Sequence, residues 1–361
     1  MTLSSKQVLV VGGGAAGLTS ALALADLGAA VTLVERQATL GGHAAAYACK
    51  ATDACVRCGA CMVASRRQAV ADHPRITVQT NRRVSRSNGG DQADRIEVAL
   101  EAADGDAGPD SNKVTADAVI LATGFSPFDP TDKPYGYGRF PNVITNLTLE
   151  RTLRETGAPK RPSDGAVPRR MAFVQCVGSR DETLGHVWCS QVCCGSALRM
   201  ARLIRSRYPE TEITIFFIDI QTFGRDFPAV YETIGDDLRM VRAIPADVYP
   251  ADGDNLTITA FDPATRQSID ESAELLVLSI GLTPAAGTAE LAEVFGVDLA
   301  ETGFFAENGP AARRGIFPAG AATGPMSIPD AIRSGEGAAA AAVRHLLARS
   351  ATQPAHSQVT P

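Results

Sequence analysis

A glycine turn between an apolar run and an alanine- and leucine-rich stretch constrains this chain more than any other feature. QVLVV at 7–11 reads as a strand buried on both faces, and AAGLTSALALADLG reads as a helix closed by Gly28. Gly12, Gly14 and Gly17 join them with the spacing G-x-G-x-x-G. The first glycine makes the tight turn. The second lets backbone approach a pyrophosphate, and the third lets helix and strand close up. Ala16 lies at the helix start, where unpaired N–H groups and the positive end of the helix dipole attract phosphate. VTLVE at 31–35 is the next strand, and Glu35 closes it about 20 residues on, where a carboxylate accepts from a ribose hydroxyl. Strand, turn, helix and acid together imply a βαβ unit that binds a dinucleotide.

The remaining apolar runs extend an α/β plan. ADAVILATG (116–124), MAFVQC (171–176), ITIFFID (213–219), ELLVLSIG (274–281) and GIFPAG (315–320) read as strands. Residues 55–70, LTLERTLRET (147–156), AVYETIGDDLRM (229–240) and a stretch from about Pro329 to Ala348 read as helices. DGDAGPDSN (104–112) reads as a polar turn between strands, and the tail 351–361 is too polar to pack and is expected to be disordered. A chain of 361 residues suggests two domains. Its 45% hydrophobic and 20% charged residues match a soluble globular protein. A net charge of −6 argues against a nucleic-acid footprint or a basic membrane-binding face. No apolar run is long enough to serve as a transmembrane segment. The start MTLSSKQ lacks the features of a secretory signal, so a cytoplasmic location is expected. Thiols stay reduced there, and clustered cysteines then point to metal or catalysis.

Further motifs choose between dinucleotides. Arg36, Gly41, Gly42 and His43 follow Glu35 at short range, and Ala122-Thr123-Gly124 and GIFPAG come later. This set resembles that of two-dinucleotide-binding-domain flavoproteins, the class of thioredoxin and glutathione reductases. The resemblance implies FAD, held by Gly12, Gly14, Ala16, Gly17, Glu35, Arg36, Gly41, Gly42, His43, Ala122, Thr123, Gly124, Gly320, Ala321 and Ile328. Most members end the last motif in Gly-Asp, whereas Ala321 follows Gly320 here, so one carboxylate contact to the flavin is missing. TGPMSIPDA (323–331) leads into the last helix, whose N-terminus would favour reduced, anionic flavin. The fold implied is a thioredoxin-reductase-like α/β flavoprotein. Its FAD Rossmann domain comes in two parts, 1–165 and 281–350, with a degenerate second Rossmann-like domain inserted at 166–280. The turn of that second unit, MAFVQCVGSRD, carries only Gly178, so the nicotinamide site of the class is expected to be lost or replaced.

All eight cysteines fall in two blocks. Cys176, Cys189, Cys193 and Cys194 are spaced C-x12-C-x3-C-C ahead of a helical GSALRMARLIR. Four thiolates in a redox protein suit an Fe–S cluster or Zn, both of which take soft sulfur ligands, with buried packing thiols as the third reading. His186 lies between the first two cysteines and is read as a loop residue, with tuning or ligating a cluster as the alternative. The stretch QCVGSRDETLGHVWCSQVCCGSA, taken with the glycine turn and GIFPAGAATGPMSIPDAIRSGEGAAAA, resembles the A subunit of heterodisulfide reductases. That resemblance implies a [4Fe–4S] cluster on Cys176, Cys189, Cys193 and Cys194, a homodimer, and an electron-transfer role beside B- and C-type partner subunits. No C-x2-C-x2-C-x3-C-P run occurs, unlike in methanogen A subunits, so the compact form is closer to heterodisulfide-reductase-like complexes of sulfur-oxidising prokaryotes. The first block, Cys49, Cys55, Cys58 and Cys61, admits three readings. It holds a second cluster, or a Cys55/Cys58 redox dithiol on one helical turn with Arg57 depressing a thiol pKa, or packing thiols. The dithiol would make the chain a stand-alone NAD(P)H-dependent disulfide oxidoreductase; a further alternative is an FAD-binding scaffold.

Overall fold

This computed structural model describes residues 3–87, 95–103, 112–221, 223, 238–263, 265–307 and 314–352. The expected helix at 229–240, the turn at 104–112 and the tail at 351–361 lie wholly or mostly outside these residues. Strands and helices first alternate: β1 (Gln7–Val11), α1 (Ala15–Asp26), β2 (Ala30–Val34), α2 (Ala60–Asp72) and β3 (Ile76–Gln79). An antiparallel meander of β4 (Arg82–Ser87), β5 (Ile96–Ala102) and β6 (Asn112–Ala116) leads to β7 (Ala118–Leu121) and β8 (Phe125–Pro127). The middle holds β9 (Val143–Thr145), α3 (Asn146–Thr156), β10 (Arg170–Val177), α4 (Cys193–Arg207), β11 (Glu212–Phe216) and β12 (Arg239–Val241). A second meander, β13 (Pro245–Ala251), β14 (Asn255–Asp262) and β15 (Gln267–Ala273), precedes β16 (Leu275–Ile280) and β17 (Leu282–Pro284). Then come α5 (Thr288–Phe295), β18 (Ile316–Pro318) and α6 (Ile328–Thr352).

Two parallel sheets organise the molecule. The first has the order β18-β7-β1-β2-β3 and the second β12-β11-β10-β16-β9. Each is covered by helices on one face and a meander on the other, which is why β7 (AVIL) and β16 (LLVLSI) are apolar throughout. In the first sheet Val8, Val10 and Ile120 meet Leu18 and Leu24 of α1 and Ala342 of α6, while Leu9, Val119 and Leu121 meet Val98 and Leu100 of the meander. In the second, Phe173, Ile213 and Val277 pack on Leu149 of α3 and Leu198 of α4, and Val174, Leu276 and Leu278 pack on Val248 and Ile258. Each such buried Val, Leu, Ile or Phe side chain contributes about 1.5–3 kcal/mol of transfer free energy. Helices α1 and α6 cross closely: Ser20 Oγ donates to Gly335 O at 2.9 Å.

Two expectations need correction, and one element had none. Strand β9 pairs with β16 (Val143 beside Leu276), so by strand pairing the second sheet draws in the chain from Val143, well before residue 166. A three-residue strand has too few positions to show a period, and only its partner identifies it. The helix read over 55–70 starts at Ala60. Arg57 and Gly59 are left-handed (φ +48° and +83°), and Gly59 is backed onto Ile328 and Pro329, where a Cβ would approach to 3.0 Å. Tertiary packing therefore unwinds the first turn, and Cys55 and Cys58 share a loop and not a helical turn. The meander β13–β15 carries no expectation, although in β14 the buried Leu256, Ile258 and Ala260 alternate with Thr257 and Thr259.

Candidate functional site

A cavity of about 780 Å3 lies at the carboxyl ends of the first sheet, within the ~300–1,000 Å3 typical of cofactor sites. Gly12, Gly14, Ala16, Glu35, Arg36, Gly41, Gly42, His43, Ala122, Thr123, Gly124, Ala321 and Ile328 all line it. Two expected residues stand behind the wall. Gly17 packs on Gly12, where a Cβ would lie 1.9 Å from Gly12 O, and Gly320 is buried against Ala16. Gly12 is left-handed (φ +105°), and a Cβ there would lie 2.2 Å from Ala122 O. Gly14 differs: a Cβ would meet nothing within 4 Å, so its side is open. Gly14 caps α1 without any side-chain hydrogen bond, leaving the first-turn N–H groups for a ligand.

Glu35 is buried and does two jobs. Its Oε2 accepts from Gly13 N at 2.7 Å and its Oε1 from Gln37 N at 2.8 Å. The carboxylate thus braces the glycine turn, and each oxygen keeps a lone pair for a ribose hydroxyl. Thr123 Oγ1 is buried with no partner among the described residues, as expected of a hydroxyl that lines a ligand site. His43 stacks on Phe125 (centroids 4.6 Å apart), its Nε2 lies 3.1 Å from Phe125 O, and burial pushes its pKa down. The start of α6 faces the cavity through Met326, Ser327 and Ile328, with Ser327 Oγ accepting from Asp330 N at 3.3 Å. A phosphate-ready helix start, an acid for ribose, an orphan hydroxyl and apolar walls fit FAD.

The second cysteine block gathers beside this cavity. Cys176 lies on β10, Cys189 on the following loop, and Cys193 and Cys194 open α4. Cys176 has left-handed backbone (φ +60°), as do Arg180 (φ +54°) and Gln191 (φ +60°). Such conformations cost about 1–3 kcal/mol each and persist only where the surroundings impose them. Cys193 hydrogen-bonds both Cys176 and Cys194, holding the Cys176 thiol below its usual range and Cys194 at about 7, while Cys193 itself is pushed up. Burial raises Cys189, and its Sγ accepts from Gln191 N at 3.3 Å. Helix α4 has no capping side chain, so its first N–H groups lie beside the thiols.

Among the described residues no three His, Cys, Asp or Glu side chains are drawn together closely enough to hold a metal ion. A cluster makes a different demand. Its four ligands bind four separate irons, so the sulfurs need not converge on one point. Four soft thiols in electrostatic contact, beside the uncapped start of α4, fit that chemistry. The first block differs. Cys49, Cys55 and Cys61 are exposed, and only Cys58 lines the cavity.

Two charge pairs escaped the sequence reading. Lys50 and Glu150 form a fully buried ion pair at 2.6 Å on the cavity wall. Glu150 also accepts from Ala48 N at 3.1 Å and from Ser196 Oγ at 3.3 Å. A signal existed: in α3 Glu150 shares the helical face of Asn146 and Leu153, a carboxylate on the buried stripe. Lys50 gave none. The other pair is Arg180–Asp219, at the edge of the thiol site.

Residues 6–174 match the family described as pyridine nucleotide-disulphide oxidoreductase. The chain is 31% identical to the second iron-sulfur A subunit of the CoB–CoM heterodisulfide reductase of Methanopyrus kandleri, over 98% of this chain and 66% of that protein. It is 37% identical to the A subunit of the H2:CoB–CoM heterodisulfide, ferredoxin reductase of Methanothermobacter thermautotrophicus, over 65% of this chain and 38% of that protein. The chain thus spans only part of these curated relatives, about two thirds of the first and two fifths of the second. In three dimensions it resembles Lactococcus lactis thioredoxin reductase, with a TM-score of 0.62 and 15% identity over 95% of this chain and 99% of that one. The fold is therefore thioredoxin-reductase-like, and by sequence the chain belongs to the family of heterodisulfide reductase A subunits.

Proposed function

We propose that this protein is an FAD- and [4Fe–4S]-containing electron-transfer subunit of a heterodisulfide-reductase-like complex. One observation carries the reading: Gln191, Val192, Gly195 and Ser196 line the flavin cavity, and they alternate along the chain with Cys189, Cys193 and Cys194. One short segment thus walls the flavin site and supplies the thiols. When bound, FAD exchanges electron pairs or single electrons, and a [4Fe–4S] cluster carries single electrons. The chain's own residues do the rest. The Gly12–Gly17 turn and the start of α1 hold phosphate, and Glu35 holds ribose. Lys50, fixed by Glu150, keeps a cation on the cavity wall. Cys176, Cys189, Cys193 and Cys194 hold the cluster. B- and C-type partners would carry the sulfur chemistry, and the protein would work as a cytoplasmic homodimer. Among the described residues no helix is long and apolar enough to cross a membrane.

Purified protein is expected to carry about four irons and four sulfides per chain. Cys189→Ala should abolish the low-temperature EPR signal of the reduced protein while FAD stays bound. A cluster retained in Cys189→Ala but lost in Cys58→Ala would reverse the ligand assignment.

Cys58 on the cavity wall favours a second reading, a dithiol enzyme fed by NAD(P)H. The packing at Gly178 speaks against it. Where the second Rossmann turn would admit a pyrophosphate, the ring of Phe128 lies over Gly178, 2.1 Å from where a Cβ would be. Mixing the isolated protein with excess NADH or NADPH in a stopped-flow instrument should therefore leave the flavin band unbleached on the seconds scale. Fast bleaching would put the dithiol enzyme first.

A further inference from the structure

We propose that the Arg180–Asp219 ion pair sets the electron affinity of the four-cysteine site, with Arg180 raising it and Asp219 lowering it. The inference rests on the cluster reading above and adds a role for two residues outside the ligand set. Arg180 lies four residues beyond Cys176 on the same loop, and its N–H donates to Trp188 O at 3.0 Å, next to Cys189. Its backbone is left-handed there. The guanidinium Nη1 and Nη2 meet Asp219 Oδ1 and Oδ2, the second pair at 3.3 Å. From the other side, Asp219 O lies 3.9 Å from Cys194 Sγ. The ion pair therefore stands beside the thiols, where β10, the Cys189 loop and the segment after β11 meet.

Arg180 and Cys176 line the same small cleft, and Asp219 O reaches Cys194 Sγ, so the pair stands close to two of the four thiols. Arg242 stands behind Asp219, its Nε donating to Ile218 O at 3.0 Å. A one-electron reduction at the thiol site, by a partner or a mediator dye, adds one negative charge there. A cation at short range makes that addition easier and an anion makes it harder. At long range the two fields cancel. Neutralising one member leaves the other charge uncompensated beside the thiols.

The test is a dye-mediated redox titration of the holoprotein followed by EPR, on wild type, Arg180→Gln, Asp219→Asn and Arg180→Lys. Arg180→Gln should shift the cluster midpoint to lower potential and Asp219→Asn should shift it to higher potential. Arg180→Lys, which keeps the charge, should stay near wild type. The flavin midpoint, read in the visible band of the same samples, should move less in every variant. A clamp that only held the loop in place would give shifts of one sign in both neutral variants. That result, or unmoved midpoints with iron and sulfide intact, would overturn the inference alone. Should Arg180→Gln lose its cluster, Asp219→Asn still decides by the sign of its shift. Wild-type protein without iron and sulfide would sink the cluster reading and this inference with it.

Discussion

Gly17→Ala is expected to give a chain that holds no FAD and loses ~3 kcal/mol or more of stability. Its methyl would lie 1.9 Å from Gly12 O and 3.0 Å from Gly12 C. Both are backbone atoms of the strand-to-helix turn, so no side chain can rotate away. Overpacking usually costs about 1–3 kcal/mol because neighbours give a little. Here relief requires α1 to lift off β1 and take its first-turn N–H groups out of line. A domain stable by about 5–15 kcal/mol would survive that loss only in part. Gly14→Ala is the control. Its methyl meets nothing within 4 Å and the residue needs no left-handed backbone. That variant should melt near wild type as apoprotein yet hold flavin more weakly, because the methyl enters the space meant for pyrophosphate. Melting curves and flavin fluorescence after denaturation measure both. A Gly17→Ala protein with wild-type flavin content and melting temperature would contradict the close-packed turn, and a flavin-saturated Gly14→Ala would contradict the phosphate site.

Lys50→Met should destabilise the protein by ~3–5 kcal/mol, the usual cost of leaving one buried charge unpaired. Glu150 would keep hydrogen bonds from Ala48 N and Ser196 Oγ but lose the ammonium at 2.6 Å. Glu150→Leu should cost a similar amount, since it leaves the buried ammonium with Ala48 O at 3.2 Å and the Tyr47 ring but no counter-charge. The double variant Lys50→Met/Glu150→Leu should recover most of that loss, because a buried pair replaced whole by apolar groups is often near neutral. Its flavin should nevertheless be altered in visible spectrum or midpoint, since the cavity wall has lost its cation. Urea unfolding of the four proteins gives the coupling energy directly. Additive losses would mean that the two side chains do not depend on each other.

How far the site was legible follows from what each residue needs. Gly12, Gly14, Glu35 and the strand and helix around them are local: a turn, an N-terminus and an acid at fixed spacing along one βαβ unit. Their chemistry can be read because neighbours in sequence are neighbours in space. The four cysteines were legible as a set through their spacing. That Cys176 approaches the others depends on left-handed backbone at Cys176, Arg180 and Gln191, which residue type does not announce. The start of α2 was misread for the converse reason. Apolar period favours helix through residue 55, but Gly59 must clear Ile328 and Pro329 of a segment some 270 residues away in sequence.

The sequence by itself determined the βαβ start, the dinucleotide turn, the apolar strands of both parallel sheets and the composition of the thiol set. These rest on short-range sterics and on burial period, which act between residues close along the chain. Only the tertiary structure decided that β9 joins the second sheet, that Lys50 finds Glu150, and that Arg180 finds Asp219. It also decided that the loop carrying Cys189 and the start of α4 form one wall of the flavin cavity. Those pairings join segments 39 to 133 residues apart. Their partners are chosen by packing of whole layers, and no local period records that choice.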